Sequence, residues 1–120
     1  MNIGKTGIEG EKRVAEFLRR QGYVIVKRNF VCRYGEVDII AENDKLLVFV
    51  EVKTRKADSM FSGREAVDGF KQKRMVLTAN DYIRKTENSK QPRFDIAEVT
   101  IYQKNDGNLG YKLHYIENAF

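Results

Sequence analysis

The feature that most constrains this chain is an apolar run with acids set into it. Leu46-Leu47-Val48-Phe49-Val50-Glu51-Val52-Lys53 is apolar on both faces over its first half. A strand of that kind belongs in the middle of a sheet covered from both sides. A second strand-like run, Glu36-Val37-Asp38-Ile39-Ile40-Ala41, precedes it across a short polar turn. Carboxylates inside apolar strands are costly unless something compensates them. A divalent cation is one such compensation, so the two runs read as a hairpin carrying a candidate metal site.

Side chains alternate between the faces of a strand. On the second run Leu47, Phe49, Glu51 and Lys53 share one face, and Leu46, Val48, Val50 and Val52 share the other. On the first run Glu36, Asp38 and Ile40 share a face, opposed by Val37 and Ile39. A two-residue turn at Asn43-Asp44 pairs Glu42 with Lys45, hence Asp38 with Phe49 and Glu36 with Glu51. Paired residues project to the same face, so Glu36, Asp38, Glu51 and Lys53 all point one way. Asp38 and Glu51 are then diagonal neighbours, about 7–8 Å apart at the backbone. A four-residue loop keeps this parity, whereas a three-residue loop without a bulge turns Asp38 to the wrong face.

The rest of the chain supplies helices to cover such a hairpin. Gly7–Gln21 reads as an amphipathic helix with Ile8, Val14, Phe17 and Leu18 at roughly helical spacing. Thr6 is placed to cap it, with Glu9 completing a capping box, and Gly22 to stop it in the left-handed region. Tyr23–Val31 is dense in strand formers and leads into a basic turn, Cys32–Gly35. Thr54–Gly63 reads as a loop, with Ser62 and Glu65 as a second capping box. A longer helix is expected from about Asp68 to Thr86, with Phe70, Val76, Ala79 and Ile83 among its apolar positions. Its exposed face would carry Lys71, Lys73, Arg74, Arg84 and Lys85. Strands follow at Arg93–Tyr102, which alternates with one break in phase, and at Tyr111–Ile116. The order α-β-β-β-α-β-β predicts an α/β fold, a central mixed five-stranded sheet flanked by helices. No repeat or linker interrupts it, so residues 1–120 read as one domain.

Composition narrows the classes. Lys and Arg number 22 against 17 Asp and Glu, a formal charge of +5, which suits a polyanionic partner without requiring one. The single cysteine, Cys32, excludes an internal disulfide framework and fits a reducing compartment. Neither a signal-peptide core nor a membrane-spanning apolar run is visible, so a cytoplasmic protein without membrane contact is expected.

Clustered carboxylate oxygens suit magnesium or manganese. Lys53, on the face of Glu51, could hold an attacking water and offset developing negative charge. Arg33, Arg55, Lys56 and Arg64 could contact nucleic-acid phosphates. Together these features suggest a metal-dependent phosphodiester hydrolase, with a surface salt-bridge network as the rival reading of the same acids. Two further readings remain: a nucleic-acid-binding protein without catalysis, carried by the basic surface, and an interaction module using Tyr115, Ile116 and Phe120.

Gly35-Glu36-Val37-Asp38-Ile39-Ile40-Ala41 followed by Val48-Phe49-Val50-Glu51-Val52-Lys53-Thr54-Arg55 resembles the YraN-type family of uncharacterised bacterial proteins. The likeness extends to Gly10-Glu11, Gly22-Tyr23, Lys71-Gln72, Arg93-Phe94-Asp95 and Ile116-Glu117-Asn118-Ala119-Phe120. It implies a restriction-endonuclease-like fold similar to archaeal Holliday junction resolvases, and endonuclease activity on DNA, branched or damaged DNA included. By that resemblance Asp38 and Glu51 are metal ligands and Lys53 is the catalytic lysine. Glu11, which the helix alone would leave as a solvated acid, becomes a ligand brought over the sheet. The backbone carbonyl of Val52 would be a further ligand. Glu36 has no assigned role in that pattern and is read as standing behind the ligands, as is Gln72, which resembles a helix glutamine of some related nucleases. Independently of the resemblance, the basic face of the long helix, with Lys71, Lys73 and Arg74, is read as facing DNA. Val37 departs from the pattern, replacing the proline of the nuclease motif. The resolvases it resembles are dimers, which makes a homodimer an arrangement to test.

Overall fold

The computed structural model describes residues 3–57 and 68–120, the first four of these as backbone alone. Its elements are α1 (Ile3–Arg20), β1 (Val24–Cys32), β2 (Gly35–Glu42), β3 (Leu46–Lys56), α2 (Gly69–Thr86), β4 (Gln91–Gln103) and β5 (Leu109–Ile116). The order is the expected one. The strands form one five-stranded sheet in the order β1-β2-β3-β4-β5, parallel between β3 and β4 and antiparallel elsewhere. The doubly apolar run thus becomes the central strand, as its composition requires.

Each face of β3 feeds a separate core. Val48 and Val50 pack with Ile39, Ala41, Ala97 and Val99 under Val14, Ala15 and Leu18 of α1. Leu47 and Phe49 pack with Val37, Ile40 and Ile96 under Met75 and Ala79 of α2. Alternation along β3 therefore assigns Glu51 and Lys53 to the α2 face. α1 approaches closely: a Cβ on Gly10 would meet Thr54 Oγ1 at 2.5 Å, so glycine lets the helix lie against β3. Its end is the expected one, with Gly22 at φ 93° and Tyr23 N–H donating to the Leu18 carbonyl at 3.0 Å. Its start is not. Helical backbone begins at Ile3, so Thr6 lies inside the helix and cannot cap it.

α2 is rotated relative to expectation. Asp68 caps it, accepting from Lys71 N–H at 2.9 Å, and the buried stripe is Met75, Thr78 and Ala79, with Tyr82 half-buried one turn on. Those spacings of three and four residues put Phe70 and Val76 off the stripe, and both are exposed. β3 also runs three residues past Lys53, because parallel pairing with β4 continues to Lys56 and Ile101. The rest of the expected loop, with Ser62, Arg64 and Glu65, falls outside the described residues. The closing apolar residues are used internally. Phe120 stacks on Phe94 with centroids 5.3 Å apart, and Tyr115 packs on Phe17 at 5.0 Å.

One buried acid on the α1 side of β4 is fully partnered. Asp95 accepts from Arg93 Nε at 2.9 Å and Arg93 Nη2 at 2.8 Å, from Asn118 N–H at 2.9 Å and from the Tyr115 hydroxyl at 2.5 Å. Among the described residues no helix is long and apolar enough to cross a membrane.

Candidate functional site

The hairpin joining β2 and β3 closes with four residues rather than two. Glu42 pairs with Leu47, and Asn43 Oδ1 accepts from the N–H groups of Lys45 (2.9 Å) and Leu46 (2.8 Å). This side-chain-built turn shifts the register by two positions and keeps the parity. Counting back, Asp38 falls across from Glu51 instead of Phe49. The ladder, however, ends at Ile39–Val50. Where the backbones part, Asp38 Oδ2 accepts the Val52 N–H at 2.7 Å.

The expected alternation of β2 also breaks here. Ile39 packs on the α1 side as read, but Val37 joins the α2 side with Ile40. Val26 is an irregularity in the β1–β2 register, and Asn29, across from Asp38, takes a left-handed conformation with φ 53°. The left-handed turn of Asn29 lies opposite the stretch of β2 where the alternation breaks.

Glu51 is the floor of the site, 6% exposed. Its Oε1 lies 3.0 Å from Lys53 Nζ and 2.7 Å from Lys71 Nζ. Burial would lower the Lys71 ammonium, but its hydrogen bonds to Glu51 and Lys53 and the charges of Glu51 and Asp38 hold it above its ordinary range. Asp38 is less well served. Burial first, then the Glu51 charge, push its carboxyl up to about 7, with Glu11 and Glu36 adding to the rise and the Val52 N–H opposing it. Glu11 reaches this neighbourhood from α1. Burial raises its carboxyl, Glu36 and Glu51 raise it further, and Arg28 and Asn29 oppose them. Its Oε1 is buried without a hydrogen bond, and the nearest cation, Arg28 Nη2, is 3.9 Å away.

Four acids from α1, β2 and β3 therefore share one electrostatic neighbourhood. Among the described residues no three His, Cys, Asp or Glu side chains already stand as a metal cage. The donor set nonetheless fits a hard cation. It is all oxygen, it holds a carboxylate whose charge the protein does not neutralise, and it contains an orphaned buried oxygen at Glu11.

Against Glu51 opens a cleft of about 530 Å³ between the β1–β2 turn and α2. Arg33, Glu36, Lys71 and Arg74 line it, with Val31 and Met75 as apolar wall. Arg74 Nε donates to the Tyr34 carbonyl at 2.8 Å and so ties the turn to the helix. Of the basic residues read from the sequence, Arg33, Lys71 and Arg74 meet in this cleft. Arg55 and Lys56 sit further along β3, Lys73 is exposed on α2 away from the cleft lining, and Arg64 lies outside the described residues. Gln72 is half-buried one position past Lys71. Lys71 belongs to the acids rather than to an outer DNA-facing surface. Its contact spans 20 positions of chain, and only its place in the first turn of a helix facing Glu51 hinted at it. Glu98 was also missed. It pairs in register with Lys53, is buried, and lies 3.2 Å from His114 Nδ1.

A family model matches residues 10–99, from the glycine beside Glu11 to the inner face of β4. The chain belongs to the uncharacterised protein family UPF0102. The match takes in Glu11, Asp38, Glu51, Lys53 and Lys71 together. A UPF0102 protein of Clostridium acetobutylicum is 44% identical over 117 residues, covering 97% of this chain and 93% of its own length. One from Caldanaerobacter subterraneus subsp. tengcongensis is 41% identical over 121 residues, covering 100% and 98%. Both relatives carry the family name and no activity, so the chemistry has to be argued from the side chains.

Proposed function

We propose that this UPF0102 protein is a magnesium- or manganese-dependent endonuclease that hydrolyses phosphodiester bonds in DNA. The observation that carries the reading is Asp38: a strand carboxyl facing Glu51 and Glu11, held at about 7 by burial and like charge, with a lysine two residues past Glu51. A protein gains nothing in stability from that arrangement, and perturbed groups of this kind collect where charge is to be managed. Asp38, Glu51, Glu11 and the Val52 carbonyl would hold the cation. When bound, it would polarise a phosphoryl oxygen and acidify an adjacent water.

The chain's own residues then have distinct tasks. Lys53 Nζ, fixed against Glu51, can hold the attacking water and place positive charge beside the phosphorus as negative charge grows there. Arg33 and Arg74 on the cleft rim can position flanking phosphates. In the reaction the water oxygen joins phosphorus, the bond from phosphorus to the leaving oxygen breaks, and the leaving oxygen ends protonated.

The deciding assay offers the purified protein junction, flap, nicked and linear DNA with each metal. Cleavage that needs the metal and falls on the order of 10³-fold in Asp38→Asn and Glu51→Gln is the expected result. Absence of cleavage across that panel, or cleavage untouched by both substitutions, overturns the assignment.

A further inference from the structure

The cleft beside Glu51 has a chemistry that the hydrolytic reading does not use up. Its volume of about 530 Å³ falls in the range of sites that enclose a single small ligand, roughly 300–1,000 Å³. A duplex cannot enter such a space, but one nucleotide can. The walls are mixed. Val31, Cys32 and Met75 give an apolar side, while Arg33 and Arg74 stand as cations whose charge is not spent on Glu51.

Beside the cleft, apolar surface is out of place. Phe70 is 72% exposed, the highest value for a large hydrophobic side chain among the described residues, and Val31 is 67% exposed. Phe70 sits in the first turn of α2, one residue before Lys71, and the Arg74 guanidinium lies 5.9 Å from its ring centroid. An exposed aromatic ring with the Arg74 guanidinium beside it combines the two elements of a single-strand platform, a π-face and backbone-neutralising charge. Bases within an uninterrupted duplex are already stacked on each other and offer no free face to such a ring. An unpaired base does.

We propose that this cleft and Phe70 receive an unpaired nucleotide next to the phosphodiester held at Asp38, Glu51 and Lys53. The base stacks on Phe70, and its phosphates face Arg33 and Arg74. The substrate class is DNA with single-stranded character, such as flaps, gaps and free ends, rather than continuous duplex. The inference rests on the proposed hydrolytic site for its placement, but it is tested by binding and does not depend on turnover.

The experiment is fluorescence anisotropy on the full chain in EDTA and again with calcium, using a labelled single strand, a duplex, and the same duplex bearing a flap. Wild-type protein should bind the single strand and the flap more tightly than the duplex. Phe70→Ala should weaken binding of those two by about ten-fold and leave the duplex unchanged, and Phe70→Tyr should restore it. Because Phe70 is exposed, its truncation leaves the core intact, and an unchanged circular dichroism melt confirms this. Equal binding of flap and duplex, or a Phe70→Ala protein as selective as wild type, overturns the inference and leaves the hydrolase reading standing. Selective binding that depends on Phe70, in a protein that cleaves nothing, supports the inference and removes the hydrolase. No binding to any of the three probes overturns both.

Discussion

Asp38 and Asp95 lie on β2 and β4 of the same sheet, either side of β3, and the protein treats them in opposite ways. Asp95 is fully buried on the α1 side, and four donors from three residues satisfy both of its oxygens. Asp38 has a single backbone donor and three acids close enough to raise its carboxyl. Arg93, besides holding Asp95, reaches the Tyr23 hydroxyl at 3.1 Å and so ties β4 to the start of β1. The contrast separates an acid retained for structure from acids kept at a cost. A buried carboxylate that is completely hydrogen-bonded explains itself. One left partly compensated, with a buried orphan oxygen nearby at Glu11, does not, and it is what the proposed cation would neutralise.

The sharpest way to break the comparison is Asp95→Ala. It leaves the Arg93 guanidinium, the Tyr115 hydroxyl and the Asn118 N–H without their acceptor, so stability should fall by about 3–5 kcal/mol. Urea unfolding monitored by circular dichroism measures it. Asp38→Asn should cost nothing in the same experiment. If the two substitutions are equally destabilising, Asp38 is a structural acid and the distinction fails.

Asp95 also shows how far the sequence could be read. Its strand was legible, and the break in alternation around Ala97 was visible, but the partners Tyr23, Arg93, Tyr115 and Asn118 come together only through tertiary packing. A buried acid between Phe94 and Ile96 was itself a signal of cost that went unread. The hairpin was more transparent. Strand parity is a local property and survived a misjudged loop length, because two-residue and four-residue loops preserve it. Apolar alternation likewise assigned Leu47, Phe49 and Glu51 to one face correctly. What alternation could not reveal was the irregularity of β1 at Val26 and Asn29, or the packing of Val37 on the side opposite its expected one. The rotation of α2 was hidden for a related reason. Phe70 looks like a core residue by hydrophobicity, and only the sheet selects Met75, Thr78 and Ala79 instead. Lys71 went with that rotation, from presumed outer surface to a partner of Glu51.

The second test is pH. The Asp38 carboxyl titrates near 3.8 ordinarily and at about 7 in the folded protein. Between those values the folded chain binds the proton and the unfolded chain has lost it. Stability therefore declines as pH rises from about 4 through 7 and levels off above that. For metal-free protein the decline attributable to Asp38 should be at most about 4 kcal/mol, and Asp38→Asn should abolish it. Adding magnesium or manganese at neutral pH should recover the loss in wild type and do nothing for the Asn variant. A stability profile that climbs over this interval in wild type and variant alike would show that Asp38 is already compensated, as Asp95 is.

Lys71 gives a smaller and more discriminating effect. In the absence of a metal it shares Glu51 with Lys53, acting as a cation that the chain itself supplies. Lys71→Ala should lower metal-free stability by about 1 kcal/mol, since the lost partner is half-exposed while Glu51 is buried. It should also enlarge the thermal shift produced by manganese, because one competitor for the carboxylate is gone. The outcome that contradicts this is a smaller manganese shift, which would make Lys71 a support of the metal site rather than its stand-in.

The smallest effect is expected at Arg33, and it tests the open side of the comparison. Arg93 holds a buried acid and cannot be spared. Arg33, itself exposed, rests on the half-buried Tyr34 ring at the cleft rim, 4.7 Å from its centroid, with no acid in salt-bridge distance among the described residues. Arg33→Ala should leave the unfolding curve unchanged. If it contacts one phosphate, it should weaken DNA binding only several-fold at moderate salt. The slope of log affinity against log salt should become shallower by about 0.7–0.9, the release of one counterion's worth of charge. Equal slopes for Arg33→Ala and wild type would remove Arg33 from the nucleic-acid path and leave Arg74 to define it.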